Sequence, residues 1–113
     1  MSAKKRGIWV FGDYRNYFQN RVTLQLLSRA RDLAKKLDAE VCAVVFGHEV
    51  DEYVGEYIGH GAEKVYVIEH PSLKVYSLEI YSQLMERLAR QENPEIILVG
   101  ATAFGREFAP RVA

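Results

Sequence analysis

The clearest candidate for chemistry is a turn near the end of the sequence, Gly100 to Glu107, in which four residues separate Gly100 from Gly105. This spacing approaches that of a phosphate-binding loop, whose backbone N–H groups surround phosphates at the start of a helix. Such a loop ends in Lys followed by Ser or Thr, whereas Arg106 and Glu107 stand here. A carboxylate at that position repels a nucleotide phosphate, so the pattern argues against a nucleotide hydrolase.

The same turn still supplies the candidate ligand or partner contacts, because it follows a strand-like run and precedes a helix start that Pro110 fits. Polar groups at a strand end and a helix N-terminus are exposed to whatever lies in the crevice above the sheet. The predicted crevice contacts are Gly100, Ala101, Thr102, Gly105 and Arg106.

No other group of residues makes a convincing catalytic or metal site. The three histidines fall at the ends of separate elements without ligand spacing, and the single cysteine, Cys42, lies inside an apolar run typical of the core. No nucleophile comes with a recognisable base, and no glycine-rich phosphate loop follows the first strand. Asp13 is a lone acid there, typical of a loop hydrogen-bond acceptor. We therefore predict no catalytic residue, no metal ligand and no enzyme activity.

Four apolar runs predict the strands that position these residues: Gly7–Phe11, Val41–Phe46, Lys64–Ile68 and Ile96–Val99. Unbroken apolar runs suit strands that are covered on both faces, as in parallel sheets. Alternation with helices predicts an α/β fold with a parallel sheet between two layers of helices. We assign it to a doubly wound type, Rossmann-like or adenine nucleotide alpha hydrolase-like, for which we expect the strand order 3-2-1-4. In that order, Gly12-Asp13-Tyr14 and the Gly100 turn face each other where the winding reverses.

Three amphipathic patterns predict the helices between these strands. The first follows a loop from Gly12 to Asn20, the second spans Glu49 to Ile58 with Gly59 and Gly61 as C-caps, and the third spans Ser72 to Gln91. The predicted buried face of the first helix is Val22, Leu26, Ala30, Leu33 and Leu37, widened by Leu27 and Ala34. That of the third is Ile80, Tyr81, Leu84, Met85 and Leu88. Four tyrosines at helical spacing are predicted either to pack in the core with their hydroxyls in contact with water or to form a partner surface. They are Tyr53, Tyr57, Tyr76 and Tyr81.

Composition excludes several classes of protein. Fifteen Lys and Arg balance fifteen Asp and Glu, so no net charge attracts nucleic acid or anionic lipid. No apolar run has the length of a membrane span, and the first residues of the sequence lack the hydrophobic segment expected of a secretory signal. One cysteine among 113 residues excludes a disulfide framework. We expect a cytoplasmic protein, or a mitochondrial matrix protein in a eukaryote.

The final segment also carries a resemblance to a known family. It is similar to the N-terminal domain of the electron transfer flavoprotein alpha subunit, in which an apolar strand leads into Gly-Ala-Thr, a variable pair, Gly-Arg, an acidic residue and Ala-Pro-Arg-Val-Ala. The matching positions are Gly100, Ala101, Thr102, Gly105, Arg106, Glu107, Ala109, Pro110, Arg111, Val112 and Ala113. The likeness extends over the whole chain but is interrupted in the first loop. There, residues 13–18 stand where the family more often has Glu and a Gly-containing loop.

The resemblance implies an electron carrier that pairs with a beta subunit and passes electrons from dehydrogenases through FAD. In that family the flavin is held mainly by the alpha subunit's C-terminal domain, so residues 1–113 are expected to form a single incomplete N-terminal α/β domain that binds no cofactor. Its implied roles are scaffold and subunit interface. We expect the chain to self-associate, because a fourth helix that stops after its first turn leaves Val99, Phe104 and Phe108 without cover.

An alternative remains open: a stand-alone small nucleotide-binding domain resembling universal stress proteins, which bind an adenine nucleotide at the switch point of a similar fold. That class carries a glycine-rich phosphate loop after its fourth strand and a further strand beyond it.

Overall fold

The computed structural model describes residues 7–74 and 77–100. Within them the chain alternates strands and helices, as the apolar runs predict, and every α-helix is followed by a parallel strand. The elements are β1 (Gly7–Phe11), α1 (Tyr17–Leu37), β2 (Glu40–Gly47), α2 (Asp51–Gly59), β3 (Lys64–Glu69), a 3-10 turn (Pro71–Lys74), α3 (Leu78–Glu92) and β4 (Ile96–Leu98).

The four strands form one parallel sheet in the predicted order β3-β2-β1-β4. Trp9 on β1 lies opposite Cys42 on β2 and Ile97 on β4, so β1 sits between its neighbours at the point where the winding reverses. Every residue of β1, and every residue of β2 after Glu40, is buried. Burial on both faces explains why these strands read as unbroken apolar runs instead of alternating ones.

Alternate residues of β1 and β2 enter two separate cores. Ile8, Val10, Ala43 and Val45 point to the face covered by α1 and α2, where they pack with buried residues that include Leu27 and Tyr57. The opposite face is covered by α3 and is richer in aromatic rings: its core is Trp9, Phe11, Cys42, Val44, Phe46, Leu73, Tyr81 and Met85. Cys42 is fully buried, which confirms its predicted place in the core.

Helix α1 begins earlier than the sequence predicts. Asn16 caps it, because the Asn16 side-chain oxygen accepts the Gln19 backbone N–H at 2.9 Å, so the preceding loop is shorter than predicted. The predicted buried face is also wrong at its end, since Leu37 is 50% exposed. Leu27, Ala30 and Ala34 are buried as predicted, and the buried residue that the prediction lacked is Thr23. Thr23 was missed because a threonine counts as polar in an apolar pattern.

Helices α2 and α3, in contrast to α1, start later than predicted. Helix α2 ends at Gly59 and is capped by His60, while Gly61 adopts the left-handed φ of 111° one residue further on. Part of the predicted third helix is the separate 3-10 turn, and Ile80, placed on its buried face, is 44% exposed. Asn93 ends α3 with a left-handed φ of 52°, at the Asn-Pro pair that predicted the stop.

Candidate functional site

A crevice opens at the carboxyl ends of β1 and β2 and extends to α3, with a volume of about 380 Å³. We call it the tyrosine crevice. Five of its lining side chains are aromatic: Phe11, Tyr14, Phe46, Tyr53 and Tyr81. Three are charged: Asp13, Arg15 and Lys74. The carboxyl edge of a parallel sheet is where ligands of doubly wound folds bind, but the crevice opens between the ends of β1 and β2, whereas the predicted site lies between β1 and β4.

Tyr14 forms the wall of the crevice nearest the strand ends. Its hydroxyl donates to the Phe46 carbonyl at 2.8 Å, and its ring stacks on Tyr53 with the centroids 4.5 Å apart. Gly47 makes this position possible, because a Cβ on Gly47 would overlap the Tyr14 hydroxyl and lie 2.8 Å from Val50 Cγ1. The hydroxyl is thereby used within the protein, and the ring is what Tyr14 presents.

Three rings packed edge to face also border the crevice, although all three residues are buried in the core. The Tyr81 ring centroid lies 5.5 Å from that of Phe46 and 6.4 Å from that of Phe11, and Phe11 and Phe46 are 5.8 Å apart. The Tyr81 hydroxyl donates to the Leu73 carbonyl at 3.0 Å. This bond ties α3 to the 3-10 turn, which ends in Lys74, and so sets the position of the lysine at the crevice.

Asp13 organises the loop between β1 and α1. Its backbone N–H donates to Thr23 Oγ1 at 3.0 Å, and its carboxylate accepts from Arg15 Nε at 3.0 Å and Nη2 at 3.1 Å. Asp13 is therefore a loop hydrogen-bond acceptor, as predicted. Because Arg15 neutralises it locally, the carboxylate does not make the crevice acidic.

A second hydrogen-bond chain joins α1 to α2 beside the crevice. The buried Tyr57 hydroxyl donates to Asn20 Oδ1 at 2.6 Å, and Asn20 Nδ2 donates to a Glu56 carboxylate oxygen at 2.6 Å. Burial raises the pKa of Tyr57 well above its usual value, and burial together with neighbouring Tyr81 raises the pKa of Tyr14 to about 12. Both phenols stay protonated at neutral pH.

These raised pKa values predict alkaline destabilisation. Between about pH 10 and about pH 12 the folded chain keeps protons on Tyr14 and Tyr57 that the unfolded chain releases, so the free energy of unfolding falls as the pH rises. Denaturant unfolding from about pH 8 to about pH 11 should show a midpoint that is flat at first and then falls. Tyrosinate absorbance should lag behind that of the unfolded chain. A midpoint that stays constant to the top of this range would contradict the assignment.

Of the five predicted crevice contacts, Gly100 lies within the described residues, and Ala101, Thr102, Gly105 and Arg106 lie outside them, as does Tyr76. Gly100 is close to α1, since a Cβ on it would lie 3.1 Å from Val22 Cγ1. Gly12, Asp13 and Tyr14 line the tyrosine crevice, but Gly100, which was predicted to face them, does not. The sequence reading missed Lys74 and Phe46 as lining residues. Phe46 was readable as the last apolar residue of a strand, but no pattern marked Lys74.

Other classes of site find no support in residues 7–74 and 77–100. No three His, Cys, Asp or Glu side chains group there as metal ligands would. No helix in these ranges is long and apolar enough to cross a membrane.

A three-layer α/β domain with a parallel 3-2-1-4 sheet and a crevice at its carboxyl edge belongs to the broad class of Rossmann-like domains. Within that class, residues 8–113 match the model of the electron transfer flavoprotein domain. The chain therefore belongs to the electron transfer flavoprotein family.

The chain is also similar to several proteins with assigned names. It is 41% identical over 108 residues to the electron transfer flavoprotein subunit alpha of Thermoanaerobacterium thermosaccharolyticum, covering 96% of this chain and 33% of that protein. It is 39% identical to the acryloyl-CoA reductase electron transfer subunit beta of Anaerotignum propionicum, covering 96% of this chain and 29% of the relative. It is 38% identical to subunit LctC of the lactate dehydrogenase (NAD(+),ferredoxin) of Acetobacterium woodii, covering 96% of this chain and 26% of that protein. The chain thus spans about a third of these relatives' length or less.

Proposed function

We propose that this chain is the N-terminal domain of an electron transfer flavoprotein alpha subunit and serves as part of an electron carrier, not as an enzyme. The observation that carries the proposal is the family match, which spans residues 8–113. Relatives with the alpha-subunit name support it, as does one named as the electron transfer subunit of a reductase. The protein would act in the cytoplasm, or in the mitochondrial matrix if it is eukaryotic.

The role proposed for these residues is scaffold and subunit interface. FAD would be held mainly by a C-terminal domain of the same subunit, and electrons would come from dehydrogenases through the full complex. The first strand-to-helix connection supports this division, because Asp13 and its Arg15 partner occupy the place where a dinucleotide-binding domain has a glycine-rich loop.

Two adjacent aromatic side chains suit contact with the beta subunit. Tyr17 is 78% exposed and Phe18 is 70% exposed, side by side at the start of α1. Arg21 lies over the Tyr17 ring at 5.8 Å, which holds the ring on the surface. Aromatic residues and arginine are enriched in protein interfaces.

The test combines flavin binding with subunit pairing. The purified chain should be colourless and should not take up FAD, while co-expression with the beta subunit from the same organism should yield a complex. The double substitution Tyr17→Ser, Phe18→Ser should weaken that complex by about tenfold or more, because interface aromatics contribute on the order of 1–2 kcal/mol each.

Leu37→Ser is the matched control, since Leu37 is 50% exposed at the other end of the same helix. This variant should pair with the beta subunit as the parent chain does. Tight FAD uptake by the chain alone would overturn the scaffold role, and equal losses in both variants would overturn the proposed contact.

A further inference from the structure

Charge is divided unequally between the two helices that cover one face of the sheet. Helix α1 carries five basic side chains, from Arg21 to Lys36, and one acidic side chain. Helix α2 carries three acidic side chains and no basic one: Asp51, Glu52 and Glu56. Since acidic and basic residues balance over the whole chain, this difference between neighbouring helices is a local separation of charge.

A groove of about 790 Å³, which we call the interhelix groove, runs between the outer sides of α1 and α2. Tyr17 and Arg21 line it from α1, and Glu52 and Glu56 line it from α2. Asn20 Nδ2 donates to a Glu56 carboxylate oxygen at 2.6 Å, so the first turns of α1 lie level with α2. Within the described part of the chain no ion pair joins the two helices, and the Arg21 guanidinium lies over the Tyr17 ring instead. The groove therefore has a basic wall and an acidic wall that do not neutralise each other.

This pattern of charge is complementary to itself. Each of the two helices connects a strand to the next parallel strand, so α1 and α2 run in the same direction. A two-fold axis along the groove would exchange its walls and place the first turns of α1 over α2 of a second copy. Arg21 of each copy would then lie opposite Glu52 and Glu56 of the other, and the contact would be made twice. A partner with one sign of charge would suit one wall and be repelled by the other.

Exposed ring surface lies at the same place. Tyr17 lines the groove and is 78% exposed, and Phe18 beside it is 70% exposed. A second copy docked on the groove would cover part of both rings. Burial of that apolar surface would add to the attraction between the opposite charges.

We propose that the interhelix groove is a two-fold interface, at which a second copy of this chain docks through Arg21, Glu52 and Glu56. The proposal goes beyond the electron-carrier role, since the dimer needs neither flavin nor a beta subunit. Because the second copy covers Tyr17 and Phe18, this dimer and the beta-subunit complex proposed above exclude each other.

The first measurement is sedimentation velocity on the purified 113-residue chain over a dilution series. We expect a reversible equilibrium between monomer and dimer that does not continue to larger species, because a two-fold contact closes on itself. Raising the salt from about 50 mM to about 500 mM should weaken the dimer several-fold, since salt screens exposed charges. Association through uncovered apolar residues, as expected from the sequence, would not weaken with salt.

Two charge reversals test the assigned residues. Arg21→Glu should weaken the dimer by about tenfold, because acids then face acids at both contacts. Glu52→Lys should weaken it by about threefold to tenfold, since Glu56 remains to attract Arg21. An equimolar mixture of the two variants should form mixed dimers more tightly than either variant dimerises alone. In the mixed dimer one contact is that of the parent chain, and the other joins the two reversed charges.

Arg29→Glu is the matched control, because Arg29 is exposed on α1 and does not line the groove. It makes the same change in net charge as Arg21→Glu and should dimerise as the parent chain does, with circular dichroism confirming that every variant is folded. A parent chain that stays monomeric would overturn the proposal and leave the groove to a partner other than a second copy. Equal weakening by Arg21→Glu and Arg29→Glu, or a mixture that associates no better than its components, would also overturn it.

Discussion

Replacing Gly47 by alanine should destabilise the chain by about 2 kcal/mol, the summed loss of one hydrogen bond and one ring stack. A Cβ at Gly47 takes the place of the Tyr14 hydroxyl, so Tyr14 must leave the Phe46 carbonyl and its stack on Tyr53. Denaturant unfolding should show the loss as a lower midpoint with an unchanged slope. The crevice should lose its Tyr14 wall at the same time.

Gly55→Ala is the control for that substitution. Gly55 lies in the exposed part of α2, and a Cβ on it would have nothing within 4 Å, so alanine there should raise stability by about 0.5–1 kcal/mol through helix propensity. A loss of stability in Gly47→Ala together with a gain in Gly55→Ala would show that the cost at Gly47 is steric. If Gly47→Ala unfolded at the parent midpoint, Tyr14 would not be held as the structure describes.

Replacing Thr23 by valine should cost a similar amount, about 2 kcal/mol, because it removes the acceptor of a buried backbone donor. Thr23 is 2% exposed, and its Oγ1 accepts the Asp13 N–H at 3.0 Å. Valine keeps the shape of the side chain, so the expected cost comes from the unpaired N–H and not from a cavity. The free energy of unfolding measured in denaturant tests the magnitude.

Thr23→Ser separates the hydroxyl from the packing. Serine keeps the acceptor and loses a buried methyl, at a cost of about 1 kcal/mol. Hydrogen exchange at the Asp13 amide is the second readout: it should be slow in the parent and in Thr23→Ser and fast in Thr23→Val. Slow exchange in the valine variant would mean that the Asp13 N–H has another acceptor.

Sequence alone predicted the sheet because β1 and β2 are buried on both faces. Their apolar residues could be recognised without knowledge of their partners, and the helices between them indicated a parallel sheet. The order 3-2-1-4 was one of the orders that a doubly wound sheet can have, and the structure confirms it. Helix boundaries were harder to predict, since they depend on single side-chain bonds. The Asn16 cap moved the start of α1, and the 3-10 turn that ends in Lys74 took the first part of the predicted third helix.

Sequence alone predicted the edge of the sheet at which a crevice opens, but neither the strand pair beside it nor its lining residues. Parallel strands bring their carboxyl ends to one edge, which pointed to Gly12-Asp13-Tyr14. Lys74 reaches that edge through the turn after β3, and the bond from Tyr81 to Leu73 fixes that turn. No local pattern encodes a contact of that kind, because Tyr81 belongs to a different element. The burial of Thr23 was not predicted for a different reason. Its hydroxyl forms hydrogen bonds within the protein, which allows a polar residue to lie in an apolar stripe.

The strand order also determines when the sheet can be completed during synthesis. β1 leaves the ribosome before the other described elements, yet one of its two neighbours, β4, is the last of them to appear. Until then, the edge of β1 that will pair with Ile96–Leu98 has unpaired backbone groups beside an apolar strand. The unit made of β1, α1 and β2 can assemble meanwhile, since domains fold from their early parts as they emerge. A nascent chain paused before β4 is therefore the species most in need of a chaperone.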